Sequence, residues 1–157
     1  MPGHMVNHSC DRTCATKPSV WRGWSARSWE SEGRGVAGFD AMAHAYVRFA
    51  VTQPSYYRVM FGGAIEPDNS APELVAEGTA AFQVLVDAIV AQQAAGLIAP
   101  DDPVQLGRYV WSVVHGIAML AIDGRFGCAP TEVDALVAFS VRQIREGIAS
   151  RGAVPGE

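Results

Sequence analysis

The segment at residues 109–123, Y-V-W-S-V-V-H-G-I-A-M-L-A-I-D, limits what this chain can fold into more than any other. Leu106, Val110, Val113, Ile117 and Leu120 recur at three- and four-residue steps, the spacing of one stripe along a helix. At about 100° per residue, Trp111, His115, Ala118 and Ile122 fall on the other side. Gln105, Arg108 and Ser112 leave only a narrow polar strip between them. A helix that is apolar on two opposed faces needs a cover on each. The expectation is that one face meets the chain's own core and the other meets a second copy of the same helix.

The rest of the chain reads as further helices. Phe39, Met42, Ala43, Tyr46 and Ala50 share one face up to about Gln53, where Pro54 stops or kinks the helix. A short helical turn over 55–61 carries Tyr56, Tyr57, Met60 and Phe61; Gly62-Gly63 ends it, and 65–71 reads as a loop. Ser70 and Glu73 form a capping-box pattern for a helix running to about Ala95, which buries Leu74, Ala81, Phe82, Leu85 and Ile89. Gly96 suits the left-handed residue after that helix, with Leu97 folding back as its apolar contact. Asp102-Pro103 is an N-cap followed by the residue best tolerated at the first helical position, and Gly124 closes the helix it opens.

Thr131, with Asp134 at the box position, reads as the cap of a last helix. Val133, Val137, Ser140, Val141, Ile144, Gly147 and Ile148 form its stripe, and they are the residues expected at a dimer interface. Ser140 and Gly147 leave a shallow track there for a close-approaching helix, while Arg142, Arg145 and Glu146 face solvent. No strand-type alternation occurs. The fold class read from this pattern is all-α, with about five helices.

Composition narrows the function. The net charge of −4 gives the bulk of the chain no electrostatic reason to hold DNA. That charge is uneven: residues 1–38 carry +2 and residues 39–157 carry −6. No apolar run approaches the roughly 20 residues that span a bilayer, and the N-terminus shows no apolar signal region. Cys10, Cys14 and Cys128 are an odd, sparse set suited to a reducing cytoplasm.

Residues 1–38 show no helical period. His4, His8, Cys10 and Cys14 lie too crowded for a usual zinc site. Arg22, Arg27 and Arg34, set among Trp21, Trp24 and Trp29, resemble a single-strand stacking surface only loosely. The stretch reads as a disordered leader to a domain at 39–151, with a frayed tail at 152–157.

His115 is the one histidine in the patterned central helix. As a base it would need a nucleophile or acid within hydrogen-bond reach, and the sequence offers no such arrangement, phosphate loop or metal pair. A lone histidine on an apolar helix is more often a hydrogen-bonded core or interface residue. Gly116 costs about 1 kcal/mol against Ala inside a helix, which points to a close approach there or to a tolerated weak position. Tyr46, Phe49, Met60, Phe61, Phe82, Trp111, His115 and Met119 form an aromatic and methionine set. It suits either plain core or the wall of an apolar pocket with a few placed polar groups.

Three stretches, A-Y-V-R-F-A-V-T-Q-P-S-Y-Y-R-V-M-F (45–61), W-S-V-V-H-G (111–116) and the amphipathic 133–148, together resemble the C-terminal regulatory domain of the TetR/AcrR family of transcriptional repressors. The branch they resemble is the one named for a W-H-G motif. The resemblance implies a homodimer in which the last two helices pair with their copies as a four-helix bundle. It also implies a small apolar effector held between the earlier helices and the central one, with no cofactor or metal. DNA contact would require a helix-turn-helix head ahead of Phe39, which residues 1–38 do not resemble. The alternatives are a headless protein that pairs with intact regulators and a small helical enzyme using His115.

Overall fold

The computed structural model describes residues 35–61, 72–127 and 129–149, with Gly23, Arg27, Trp29, Glu30 and Gly33 before them; the side chains of 72–75, 77 and 130 are left aside. From Val36 the described residues form five helices: α1 (Val36–Thr52), α2 (Pro54–Phe61), α3 (Pro72–Ala94), α4 (Pro103–Ile122) and α5 (Pro130–Ile148). The only pairing of extended backbone among them is an isolated antiparallel bridge between Ile98 and Ala149, beside an Ala99 N–H bond to the Ile148 carbonyl of 2.9 Å.

The punctuation follows local chemistry. Gln53, forced off helical geometry by the ring of Pro54, ends α1 at ψ 54°, and its N–H still reaches the Phe49 carbonyl at 2.8 Å. Pro54, having no N–H to lose, then serves as the first residue of α2. At the end of α3, Gly96 takes φ 70°; Gly96 and Leu97 donate to the carbonyls of Gln93 and Gln92, a Schellman closure. Leu97, however, stays exposed, and Ile98 makes the buried contact instead. Asp102 caps α4 by accepting from the N–H groups of Val104 (2.8 Å) and Gln105 (3.3 Å). Gly124, at φ 65°, closes α4 with the same pair of bonds, from Gly124 to Ala121 and from Arg125 to Leu120.

The last helix starts earlier than Thr131. Ala129 is its N-cap and Pro130 its first residue, with the Glu132 carboxylate reaching back to accept the Ala129 N–H at 2.6 Å. Pro130 at the first position suits a helix start better than it suits a loop, and this sets the cap two residues upstream. The Ser70 cap and the Gly62-Gly63 stop lie outside the described residues.

Helix α4 runs through the middle and divides the core into two clusters. In one, Tyr46, Val47, Phe49 and Ala50 of α1 and Tyr57 of α2 pack with Val114, Ile117 and Ala118 of α4 and Val133, Val137 and Val141 of α5. In the other, Phe39 and Met42 meet Ala88 and Ile89 of α3, Val110 of α4, and Ile144 and Ile148 of α5. Trp29, ahead of α1, joins this second cluster at 9 % exposure. Gly38 is required there: a Cβ on it would sit 2.8 Å from the Trp29 carbonyl oxygen.

This packing bears on two expectations. The Trp111–His115 face of α4 is covered by the chain itself, by α1 and α2, while the other stripe is covered at Val110 and Ile117 and leaves Leu120 exposed. On α5, Val133, Val137, Val141, Ile144 and Ile148 are buried within the single chain, each at 9 % exposure or less. Periodicity marks a face as apolar without saying which molecule covers it. Only Ser140 (half-buried) and Gly147 (exposed) of the expected interface set keep surface. Arg145 likewise turns inward, to an ion pair with Asp40 of α1 at 3.2 Å. Burial outweighs that pairing at the carboxyl, so Asp40 sits above the usual carboxylate range.

Candidate ligand cavity and its polar cluster

Helices α1, α2, α3 and α4 border a partly open apolar cavity of about 200 Å³. Tyr46, Met60, Phe61, Phe82 and Trp111 line it, together with Phe39, Met42, Ala43, Gly78, Ala81, Leu85, Val110 and Val114. Phe49, His115 and Met119 do not. Phe49 is buried in the first core cluster, Met119 packs against that cluster, and His115 stands behind the wall. The residues without an advance signal are the small ones. Gly107 lets α3 lie close, since a Cβ there would sit 3.2 Å from the tip of the Phe82 ring. Gly78 leaves room at the wall, where a Cβ would meet nothing within 4 Å.

One end of the cavity is closed by four polar side chains bonded to one another. The Trp111 indole N–H donates to the Tyr46 hydroxyl at 3.0 Å. The hydroxyls of Tyr46 and Tyr57 lie 2.9 Å apart, and His115 Nδ1 lies 2.9 Å from the first and 2.7 Å from the second. Three short contacts thus share two hydroxyl hydrogens. The count closes within the cluster when the imidazole is neutral with its proton on Nε2, so that Nδ1 accepts. A proton on Nδ1 would leave one hydroxyl hydrogen with no acceptor in the cluster.

Burial sets the charge states the same way. It holds the His115 pKa below its ordinary value, pushes the Tyr46 phenol up to about 12, and with the neighbouring Tyr46 pushes Tyr57 higher still. All members are therefore uncharged near pH 7. The phenols are thus held protonated, and Nδ1 of His115 is taken up by them. Chemically, the cluster ties helices together and gives the cavity a neutral end.

Aromatic packing holds the wall in place. Phe61 meets Tyr57 at a centroid distance of 4.8 Å and His115 at 5.0 Å, while Phe82 and Trp111 are 5.9 Å apart. Arg58 pins the outer side of α2 by donating to the Ile122 carbonyl and to the Asp123 carboxylate, both at 2.9 Å. The carbonyl at the C-terminal end of α4 is a favourable partner for that cation. Tyr57, Arg58 and Phe61 thus tie the short α2 to α4, and Tyr57 is fully buried.

Among the described residues no three His, Cys, Asp or Glu side chains gather as a metal site, and no helix is long and apolar enough to cross a membrane. His4, His8, Cys10 and Cys14 lie outside the described residues.

Residues 39–144 match the family model described as tetracyclin repressor-like, C-terminal domain. A solved structure from Rhodococcus sp. RHA1, described only as a protein with unknown function, is 30 % identical with a TM-score of 0.79; the match covers 90 % of this chain and 75 % of that one. No curated protein matches the chain.

Proposed function

Because the chain belongs to the family of tetracycline-repressor-like C-terminal domains, we propose that it is the effector-binding and dimerising part of a transcriptional regulator working in the cytoplasm. The observation that carries this reading is the apolar cavity between α1, α2, α3 and α4, closed at one end by the Trp111–Tyr46–Tyr57–His115 cluster. A cavity with aromatic walls that no described side chain fills is the form small-molecule sites take. A ligand inside would touch all four helices at once, and so bias how they sit. The neutral, mutually satisfied cluster argues against an enzyme using His115. Operator contact is assigned to a helix-turn-helix unit ahead of α1 or on an associated chain.

The dimer surface we assign is the uncovered side of α4 and α5 rather than the buried α5 stripe. On α4, Tyr109, Val113, Gly116 and Leu120 follow steps of four, three and four, and Tyr109 and Leu120 are 49 % and 45 % exposed. On α5, Leu136, Ser140, Gln143 and Gly147 follow the same steps beside Phe139, which is 51 % exposed. Large apolar side chains grouped on one surface mark an interaction site. Gly116 then has a purpose, because outside its own helix turn no described residue comes within 4 Å of its missing Cβ.

The test is ligand-observed NMR with a fragment panel of neutral, anionic and cationic compounds on the protein and on Gly78→Leu. The substitution adds a side chain where the cavity wall has space and removes a helix-interior glycine. Fragments that bind the first and not the second support the reading. A panel with no such fragment contradicts it.

A further inference from the structure

Resting on the reading of the cavity as the effector site, we propose that it selects an uncharged, largely hydrocarbon molecule of one or two rings and rejects the carboxylate of the same shape. Size comes from the cavity: about 200 Å³, against the roughly 150 Å³ of an engineered apolar cavity that takes benzene. Two fused rings fit that space. Shape comes from the wall. Phe61 and Phe82 flank Trp111 at 6.1 and 5.9 Å between ring centroids, tilted 57° and 52° to it. A flat ring entering between them meets aromatic faces and edges, the geometry such pairs favour.

Charge selection follows from what the wall lacks and how its polar end is arranged. Among the described lining residues there is no Lys, Arg, His, Asp or Glu. The polar atoms at the closed end, Trp111 Nε1 and the Tyr46 hydroxyl, are bonded to each other, and the Tyr46 oxygen is bonded in turn to the groups behind it. An anion in this space would lose its water and find neither a cation nor an uncommitted donor. That is the arrangement in which burying a charge is most costly. A neutral molecule meets no such penalty and gains the aromatic contact.

The matched pair 2-acetylnaphthalene and 2-naphthoate tests this by calorimetry at pH 7.5, with naphthalene as the unsubstituted member and Gly78→Leu as the cavity-blocked protein. The two share ring system and heavy-atom count and differ in charge. The expected result is binding of both neutral compounds, lost in Gly78→Leu, with 2-naphthoate at least ~10-fold weaker. Binding of 2-naphthoate within tenfold of the ketone, lost in Gly78→Leu, overturns the charge selection and leaves the cavity as the site. Neutral compounds that bind both proteins alike, or do not bind, overturn the proposal. Xenon entry then separates a wrong ligand class from a cavity that holds nothing: xenon shifting the Met42 and Met60 methyl signals means the class is wrong, and its exclusion means the effector-site reading itself fails.

Discussion

Replacing Tyr46 or Tyr57 by Phe removes one hydroxyl in each case, yet the two losses differ in consequence. In Tyr57→Phe, the Tyr46 hydroxyl still accepts from Trp111 at 3.0 Å and donates its own hydrogen to His115 Nδ1 at 2.9 Å. Every remaining polar group keeps a partner, so the cost is that of a single net hydrogen bond, about 1 kcal/mol. In Tyr46→Phe, the 2.7 Å bond from Tyr57 to His115 survives, but the Trp111 N–H loses its acceptor against an apolar wall. A stranded donor adds roughly 1–3 kcal/mol, giving a total of about 2–4 kcal/mol.

Urea unfolding followed by far-ultraviolet circular dichroism, at one fixed protein concentration, measures both. Tyr46→Phe should be the less stable by at least about 1 kcal/mol, or roughly 4 °C in Tm for a domain of this size. Adding Trp111→Phe to Tyr46→Phe should cost less than the sum of the separate changes, because the stranded donor is then removed as well. Equal costs, or a larger cost for Tyr57→Phe, would refute this hydrogen-bond assignment.

His115 makes stability depend on pH with a defined sign. Its folded pKa lies below the ordinary value near 6.5, so between the two the unfolded chain binds more protons, and stability falls as pH drops through that window. His115→Gln should flatten the corresponding part of the stability–pH curve between pH 7 and 5; an unchanged slope would show the imidazole is not held neutral. Gly107→Val, placing bulk 3.2 Å from Phe82, should cost about 1–3 kcal/mol in denaturant unfolding and weaken ligand binding in the cavity. On the outer face, Leu120→Glu should shift sedimentation toward monomer with the fold intact by circular dichroism, since Leu120 is 45 % exposed in the single chain. Val137→Ala should instead lower stability by roughly 1–3 kcal/mol through a core cavity, because Val137 has no exposed surface. Monomers from Val137→Ala with no loss of folding stability, and dimers from Leu120→Glu, would return the interface to the α5 stripe.

Helix ends were legible because they are local: Asp102-Pro103, Gly96 and Gly124 each state a cap or stop in one or two residues. Ala129 was not, because its cap lies in the Glu132 carboxylate three residues on, and Thr131 offers a competing signal. The apolar stripes were legible as stripes. What covers them was not, since Val137 against its own α1 and α4 has the same spacing as Val137 against a twin helix. The aromatic set reached the cavity wall at Tyr46, Met60, Phe61, Phe82 and Trp111, where bulk and order in the chain coincide. Gly78 and Gly107 carry no such signal, because small residues in a wall make no pattern of their own; space appears only once two helices are set side by side. Tyr57 is the sharpest case: the sequence marks it only as one of four large side chains on a short helical turn, and it is fully buried with its hydroxyl bonded to His115.

Xenon tests the cavity most directly, because it enters apolar space without regard to ligand shape or charge. With methionine methyl groups carrying carbon-13, the Met42 and Met60 signals should move progressively with xenon pressure, since both side chains line the cavity. Met119, packed against the neighbouring core cluster, should stay in place, and Gly78→Leu should reduce the shifts. Met42 and Met60 signals that do not move, or a shift at Met119 alone, would contradict the existence of an apolar site between α1, α2, α3 and α4.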